Sequence, residues 1–171
     1  MTRTATMHGA PLPLAGEELH AGAKAPEFVL QKMGKNGLEN VSLEDYKGKT
    51  LLLSVVPSLD TGVCATQTRT FNQRAAQLPD NVAVLTVSMD LPFAQKRFCG
   101  VENVEKLECA SDHLSGEFGR AYGVYIEGGA LERILARAVF VVDPQGVVKH
   151  AEYVAEIADE PNYDAALAAV N

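Results

Sequence analysis

The residue best placed to do chemistry in this chain is Cys64. The run Thr50 to Val56 before it is apolar with β-branched residues, and a short run of that kind bounded by a turn reads as a buried strand. Pro57 stops the strand, because proline has no N–H to give to a central ladder. Ser58-Leu-Asp-Thr-Gly62 is turn chemistry. Val63 to Leu78 carries good helix formers and no proline, with Asp60 or Thr61 as its N-cap. Cys64 therefore falls in the first turn of a helix that follows a central strand. Unpaired backbone N–H groups and the positive end of the helix dipole favour a thiolate over a thiol there. The thiolate is the nucleophile. A buried structural cysteine is the other reading, and position alone leaves both open.

The remaining candidates for chemistry are few. The chain has 3 cysteines, Cys64, Cys99 and Cys109. They are too few for a secreted disulfide scaffold, and no CxxC pair exists, so a vicinal redox dithiol and a compact zinc knuckle are both excluded. His8, His20, His113 and His150 stand at no ligand spacing to one another or to the cysteines. No metal and no cofactor is expected.

The elements that must position Cys64 follow from patterning. Thr2 to His8 and Pro13 to Ala15 flank Gly9-Ala-Pro11 and predict a small N-terminal hairpin. Ala25 to Lys32 reads as a strand, with Asn40 to Leu43 pairing back. Ser42 to Gly48 reads as one helical turn closed by glycine. On the helix bearing Cys64, the residues Val63, Phe71 and Leu78 form an apolar face that can lie on a sheet. Val82 to Met89 is a second buried-type strand, and the strand–helix–strand order predicts a parallel crossover. Asp90 caps a short helix with Pro92 early and Gly100 at its end, so Cys99 sits near its C-terminus. Val104 to Cys109 is read as a strand, and Ser111 to Tyr122 as a helix broken by Gly116 and Gly119. Ala136 to Val142 is a third buried-type strand, Val147 to Val154 its hairpin partner, and Asn162 to Val170 a C-terminal helix. The class is α/β, with central parallel strands and an antiparallel hairpin near the end.

Composition sets the frame. With 171 residues and 47% of them hydrophobic, one domain over 1–171 can bury a full core, the first 20 residues being the hairpin extension. A net charge of −7 argues against nucleic acid and anionic membrane surfaces as partners. No apolar run reaches about 18 residues, and the N-terminus lacks the apolar stretch of a signal peptide. The default location is the cytoplasm.

Pro57-x-x-x-Thr61-x-x-Cys64 resembles the active-site signature of the peroxiredoxins. Four stretches sharpen the likeness: 57–64, Asp90 to Gly100, Ala121-Tyr-Gly-Val124 and Ala136-Arg-Ala-Val139. Together they resemble the bacterial thiol peroxidase branch, the atypical two-cysteine peroxiredoxins, over nearly the whole chain. The resemblance implies a thioredoxin-like fold, a central mixed sheet flanked by helices. It implies a thiol-dependent peroxidase acting on hydrogen peroxide and organic hydroperoxides, with thioredoxin as reductant and a homodimer as the assembly.

By the same resemblance Cys64 is the peroxidatic nucleophile, oxidised to a sulfenic acid. Thr61 places a hydroxyl beside the sulfur and the peroxide. Pro57 shields the thiolate and shapes the pocket. Arg137 is the distant cation, suited to the task by its fixed charge and fork of donors; from the residues alone it reads as a strand-edge arginine. Cys99 is the resolving cysteine of the same chain. Sulfurs on helices bridge only when their Cα atoms come within about 7 Å, so one or both helix ends unwind, with Gly62 and Gly100 giving backbone freedom. Cys109 departs from the pattern and is read as a buried strand residue or, alternatively, a backup thiol. Leu91, Phe93, Tyr122 and Gly128-Gly129 line a pocket or interface, or simply the core.

Three other functions fit parts of the sequence. A general thiol–disulfide oxidoreductase is disfavoured by the missing CxxC. A peroxide-sensing relay, passing oxidation to a partner, would use the same cysteines. A purely structural module gives no reason for threonine, cysteine and arginine in these places.

Overall fold

The computed structural model describes residues 2–171. The chain opens with a hairpin of β1 (Arg3–Met7) and β2 (Ala10–Leu14). Its two-residue turn puts His8 at φ 50° and Gly9 at φ 82°, the positive dihedrals a tight hairpin with right-handed twist demands. The hairpin is tied down by Glu156, whose carboxylate accepts from the Thr6 hydroxyl and from the His8 and Gly9 amides.

The main sheet has seven strands: β3 (Val29–Gly34), β4 (Gly37–Ser42), β5 (Thr50–Val55), β6 (Val82–Ser88), β7 (Glu108–Ser111), β8 (Ala138–Val142) and β9 (Val148–Tyr153). Their spatial order is β4-β3-β7-β6-β5-β8-β9. The centre is parallel, β5 with β6 and β6 with β7. Antiparallel pairs extend it on both sides, β3 with β4 and β7 on one, β8 with β5 and β9 on the other. The crossovers are α1 (Gly62–Ala75), between β5 and β6, and α2 (Pro92–Val101), between β6 and β7. Two further helices, α3 (Glu117–Ala121) and α4 (Tyr163–Ala168), complete the chain.

The period-2 alternation of a strand assigns side chains to the two faces. Leu51, Leu53 and Val55 of β5 join a core with Phe28, Tyr122 and Phe140. Leu52, between them, joins a second core with Phe71 of α1, Val139 and Val141 of β8 and Ala166 of α4. Phe98, Cys99 and Cys109 pack against that second core. All three cysteines thus lie on the sheet face that carries α1 and α2.

Several elements differ from the sequence reading, each for a local reason. The first strand of the sheet begins at Val29, because Ala25 bonds to Gly146 and Pro26 has no N–H. Asp90 does not cap α2; Leu91 is the N-cap. Gly100 lies inside α2, and the left-handed residue beyond the helix is Asn103, at φ 53°. The Val104 amide then bonds back to the Cys99 carbonyl. The chain rejoins the sheet only at Glu108, not at Val104. The helix expected over 111–122 is confined to 117–121, because Gly116 takes φ 70° and the buried Asp112 carboxylate caps the Phe118 and Gly119 amides. Tyr122 is core: fully buried, stacked on Phe118, its hydroxyl donating to Pro26 O at 2.8 Å.

Candidate active site

Cys64 is the third residue of α1 and is fully buried. Its immediate packing partners are Val56 and Leu59, with Phe98 and Cys109 against them. The loop before it is held from below. The Asp90 carboxylate accepts from the Ser58 hydroxyl at 2.9 Å, the Leu59 amide at 2.9 Å and the Ser88 hydroxyl at 2.8 Å. Pro57 is buried at the end of β5. Thr61 is the N-cap residue, extended at φ −108° and ψ 151°, and it is exposed. Its hydroxyl donates to Ser58 O at 3.0 Å.

The buried face of α1 is Cys64, Gln67, Thr68 and Phe71, the i, i+3, i+4, i+7 set of one helical face. Three of the four are polar-capable. Thr68 donates to the Cys64 carbonyl at 2.9 Å. Gln67 donates through Nε2 to the Ser54 hydroxyl of β5 at 2.8 Å.

Arg137 sits just before β8 and is 2% exposed. Each arm of its guanidinium is engaged. Nε donates to Ile157 O at 2.9 Å, Nη1 to Gln67 Oε1 at 2.9 Å, and Nη2 reaches Cys64 Sγ at 3.4 Å. A buried cation is costly unless it meets an anion. Two of these three partners are neutral oxygens, and the third is the sulfur. The sulfur is the one partner of the three that can carry a negative charge.

Cys99 lies elsewhere. It sits in the last turn of α2, and its Sγ is 3.4 Å from the Sγ of Cys109 on β7. All three cysteines are free thiols. The hydrogen bond between the two holds Cys99 below the usual thiol range, whereas that bond and burial push Cys109 well above it. Among the described residues no cluster of three or more His, Cys, Asp or Glu side chains could hold a metal.

The model of the redoxin family matches residues 20–167. The chain belongs to the redoxin family. Within it, the chain is 50% identical over 159 residues to the thiol peroxidase of Bacillus subtilis, covering 93% of this chain and 91% of that protein. It is 51% identical over 164 residues to the thiol peroxidase of Halalkalibacterium halodurans, covering 96% and 95%. The crystal structure of a peroxiredoxin-like protein from Aquifex aeolicus superposes with a TM-score of 0.91 at 44% identity, covering 99% of this chain and 96% of that one. The fold is the thioredoxin-like fold of redoxins.

In this redoxin the sequence reading overlooked Gln67 and Ser54, and read Asp90 as a helix cap where it holds the loop before Cys64. Gln67 joins the arginine to the strand, so it sets how the guanidinium fork is rotated toward the sulfur. Its one visible signal was a polar side chain on the same helical face as Cys64. Gln67→Ala frees that rotation without removing charge. Cys64 oxidation should slow about tenfold, equivalent to about 1.4 kcal/mol of barrier, as read by stopped-flow peroxide consumption. Gln67→Glu should slow it more, because a carboxylate competes with the sulfur for the cation. Wild-type rates in both variants would remove Gln67 from any positioning role.

Proposed function

We propose that this redoxin is a thiol-dependent peroxidase in which Cys64 attacks hydroperoxides and Cys99 resolves the product. The observation that carries the reading is the buried Arg137 guanidinium, 3.4 Å from Cys64 Sγ with only neutral oxygens as its other partners. The Cys64 thiolate attacks the terminal peroxide oxygen. The O–O bond breaks, its electron pair leaves on the distal alkoxide, and protonation gives alcohol, or water from hydrogen peroxide. Arg137 donates toward the charge as it moves from sulfur to oxygen. Thr61 orients the peroxide once its hydroxyl turns away from Ser58 O. Pro57 keeps bulk water from the sulfur.

The Cys99 thiolate then attacks the sulfenic sulfur, and hydroxide leaves as the Cys64–Cys99 disulfide forms. Cys99 must leave its place on α2 to do this, so a local unfolding step gates turnover. Cys64 is sealed in the resting fold, so the same mobility admits substrate. A cleft of roughly 160 Å³ lined by Asp60, Ala94, Arg97, Phe98, Val101 and Glu102 shares Phe98 with the packing around Cys64. Thioredoxin reduces the disulfide, which fits a reducing compartment, the cytoplasm. No described helix is long and apolar enough to cross a membrane. Leu91 and Phe93, 51% and 58% exposed at the start of α2, support a homodimer through that end of the molecule.

The test is peroxide-dependent NADPH oxidation coupled through thioredoxin and its reductase. The wild type should cycle. Cys99→Ser should consume a single equivalent of peroxide at the wild-type rate and then stop. Normal cycling by Cys99→Ser would overturn the resolving assignment.

A further inference from the structure

We propose that Cys109 is a third redox-active cysteine, which takes the disulfide over from Cys64 and makes Cys99–Cys109 the oxidised form that the reductant meets. The proposal rests on Cys64 and Cys99 acting as described above, and adds a step after them.

Three observations carry it. The first is proximity. The Cys99 and Cys109 sulfurs are 3.4 Å apart with α2 and β7 both intact, and an S–S bond is about 2.05 Å. Small side-chain rotations close that gap. Cys99 is not among the residues packed around Cys64, so on the reading above a Cys64–Cys99 bond requires Cys99 to leave its helix. The second is placement. Cys109 packs against the cluster of Val56, Leu59 and Cys64 and touches Cys99. It therefore stays within reach of Cys99 whether that residue is on α2 or drawn toward Cys64. The third is access. A surface cavity of roughly 210 Å³, lined by Lys32, Pro92, Lys96, Cys99, Glu108 and Cys109 among others, opens onto the pair. Cys64 is sealed.

The step is a thiol–disulfide exchange and needs no further oxidant. With Cys99 tied up in the first disulfide, the hydrogen bond that chiefly raises the Cys109 thiol is gone, and Cys109 loses its proton to water in the cavity and attacks Sγ of Cys99. The Cys99–Cys109 bond forms as the Cys64–Cys99 bond breaks, and the electron pair leaves on Cys64. One disulfide is exchanged for another, with no net oxidation. Exchange favours the leaving sulfur that is best stabilised as a thiolate. Cys64 departs into the position where Arg137 Nη2 donates to it. The transfer also lets the unwound ends of α1 and α2 refold, recovering the backbone bonds that the first disulfide breaks. Both effects drive it forward, and it returns Cys64 ready for peroxide before any reductant arrives.

Trypsin separates the three cysteines into peptides 50–69, 98–106 and 107–120. Reduced protein is given a sub-stoichiometric amount of peroxide without reductant, quenched in acid, alkylated, digested and mapped. The expected product is 98–106 linked to 107–120, with 50–69 alkylated at Cys64. A second equivalent of peroxide should then be consumed, and dimedone should label Cys64. Cys109→Ala should yield only 50–69 linked to 98–106 and consume no second equivalent. In the wild type, 50–69 linked to 98–106 as the sole product overturns this proposal and leaves the parent reading standing. A sole product of 50–69 linked to 107–120 also overturns it. A sulfenic acid that persists with no disulfide overturns both. The wild-type map decides the matter even if Cys109→Ala folds poorly.

Discussion

Cys64→Ser abolishes peroxide reduction while the chain stays folded. The substitution changes one buried atom in a site closed by Val56, Leu59, Phe98 and Cys109. A serine hydroxyl is a weak nucleophile at its ordinary protonation state, and nothing at this site is a base that could ionise it. Its oxygen has no counterpart of the sulfenic acid on the sulfur oxidation ladder. The hydroxyl still accepts from Arg137 Nη2, so the guanidinium remains hydrogen-bonded and loses only its anionic partner. Loss of the anion beside a buried cation should cost about 3–5 kcal/mol, a fall in Tm of roughly 6–20 °C for a chain of this size. Stopped-flow peroxide consumption and a thermal melt on the same sample separate loss of chemistry from loss of fold. Turnover retained by a folded Cys64→Ser would move the peroxidatic role to Cys99 or Cys109.

The elements that carry Cys64 were legible because their signals are local. β5 is buried on both faces and reads as an uninterrupted apolar run, and Pro57 and the turn after it mark where α1 starts. Of the apolar face expected for α1, Phe71 is buried and Leu78 packs against the same core, but Val63 does not join it. The helix buries Gln67 and Thr68 beside Cys64 instead, because it covers a polar network that a hydrophobic pattern cannot reveal. Sites of chemistry are where local rules fail in this way. The approach of Arg137 to Cys64 spans 73 positions; nothing in the sequence around Arg137 shows it, and only the family resemblance pointed there. The neighbour of Cys99 was hidden for a related reason. The left-handed turn at Asn103 delays β7 to Glu108. That shift puts Cys109 in register with Thr86 and against α2.

Arg137→Ala carries the second large effect, and its size follows from what the guanidinium does. It is a preorganised donor aimed at charge that moves from sulfur to the leaving oxygen. Removing one such donor costs about 10²–10³ in rate, or about 2.7–4 kcal/mol of barrier. Cys64 oxidation should slow by that factor. The fold also suffers, because Gln67 Oε1 and Ile157 O lose their donor inside the protein. Each unsatisfied acceptor costs about 1–3 kcal/mol, so the melt must be recorded and the kinetics taken well below it. Arg137→Lys distinguishes charge from geometry. It keeps the cation but has no planar fork to satisfy Ile157, Gln67 and the sulfur together. Its rate should fall between alanine and wild type. Free guanidinium ion gives a readout that a merely structural arginine would not. It fits the space left by the alanine variant, and added in millimolar amounts it should restore part of the lost rate. A folded Arg137→Ala protein that reacts with peroxide as fast as the wild type would remove the arginine from the chemistry, and with it the main physical reason for an ionised sulfur in so closed a site.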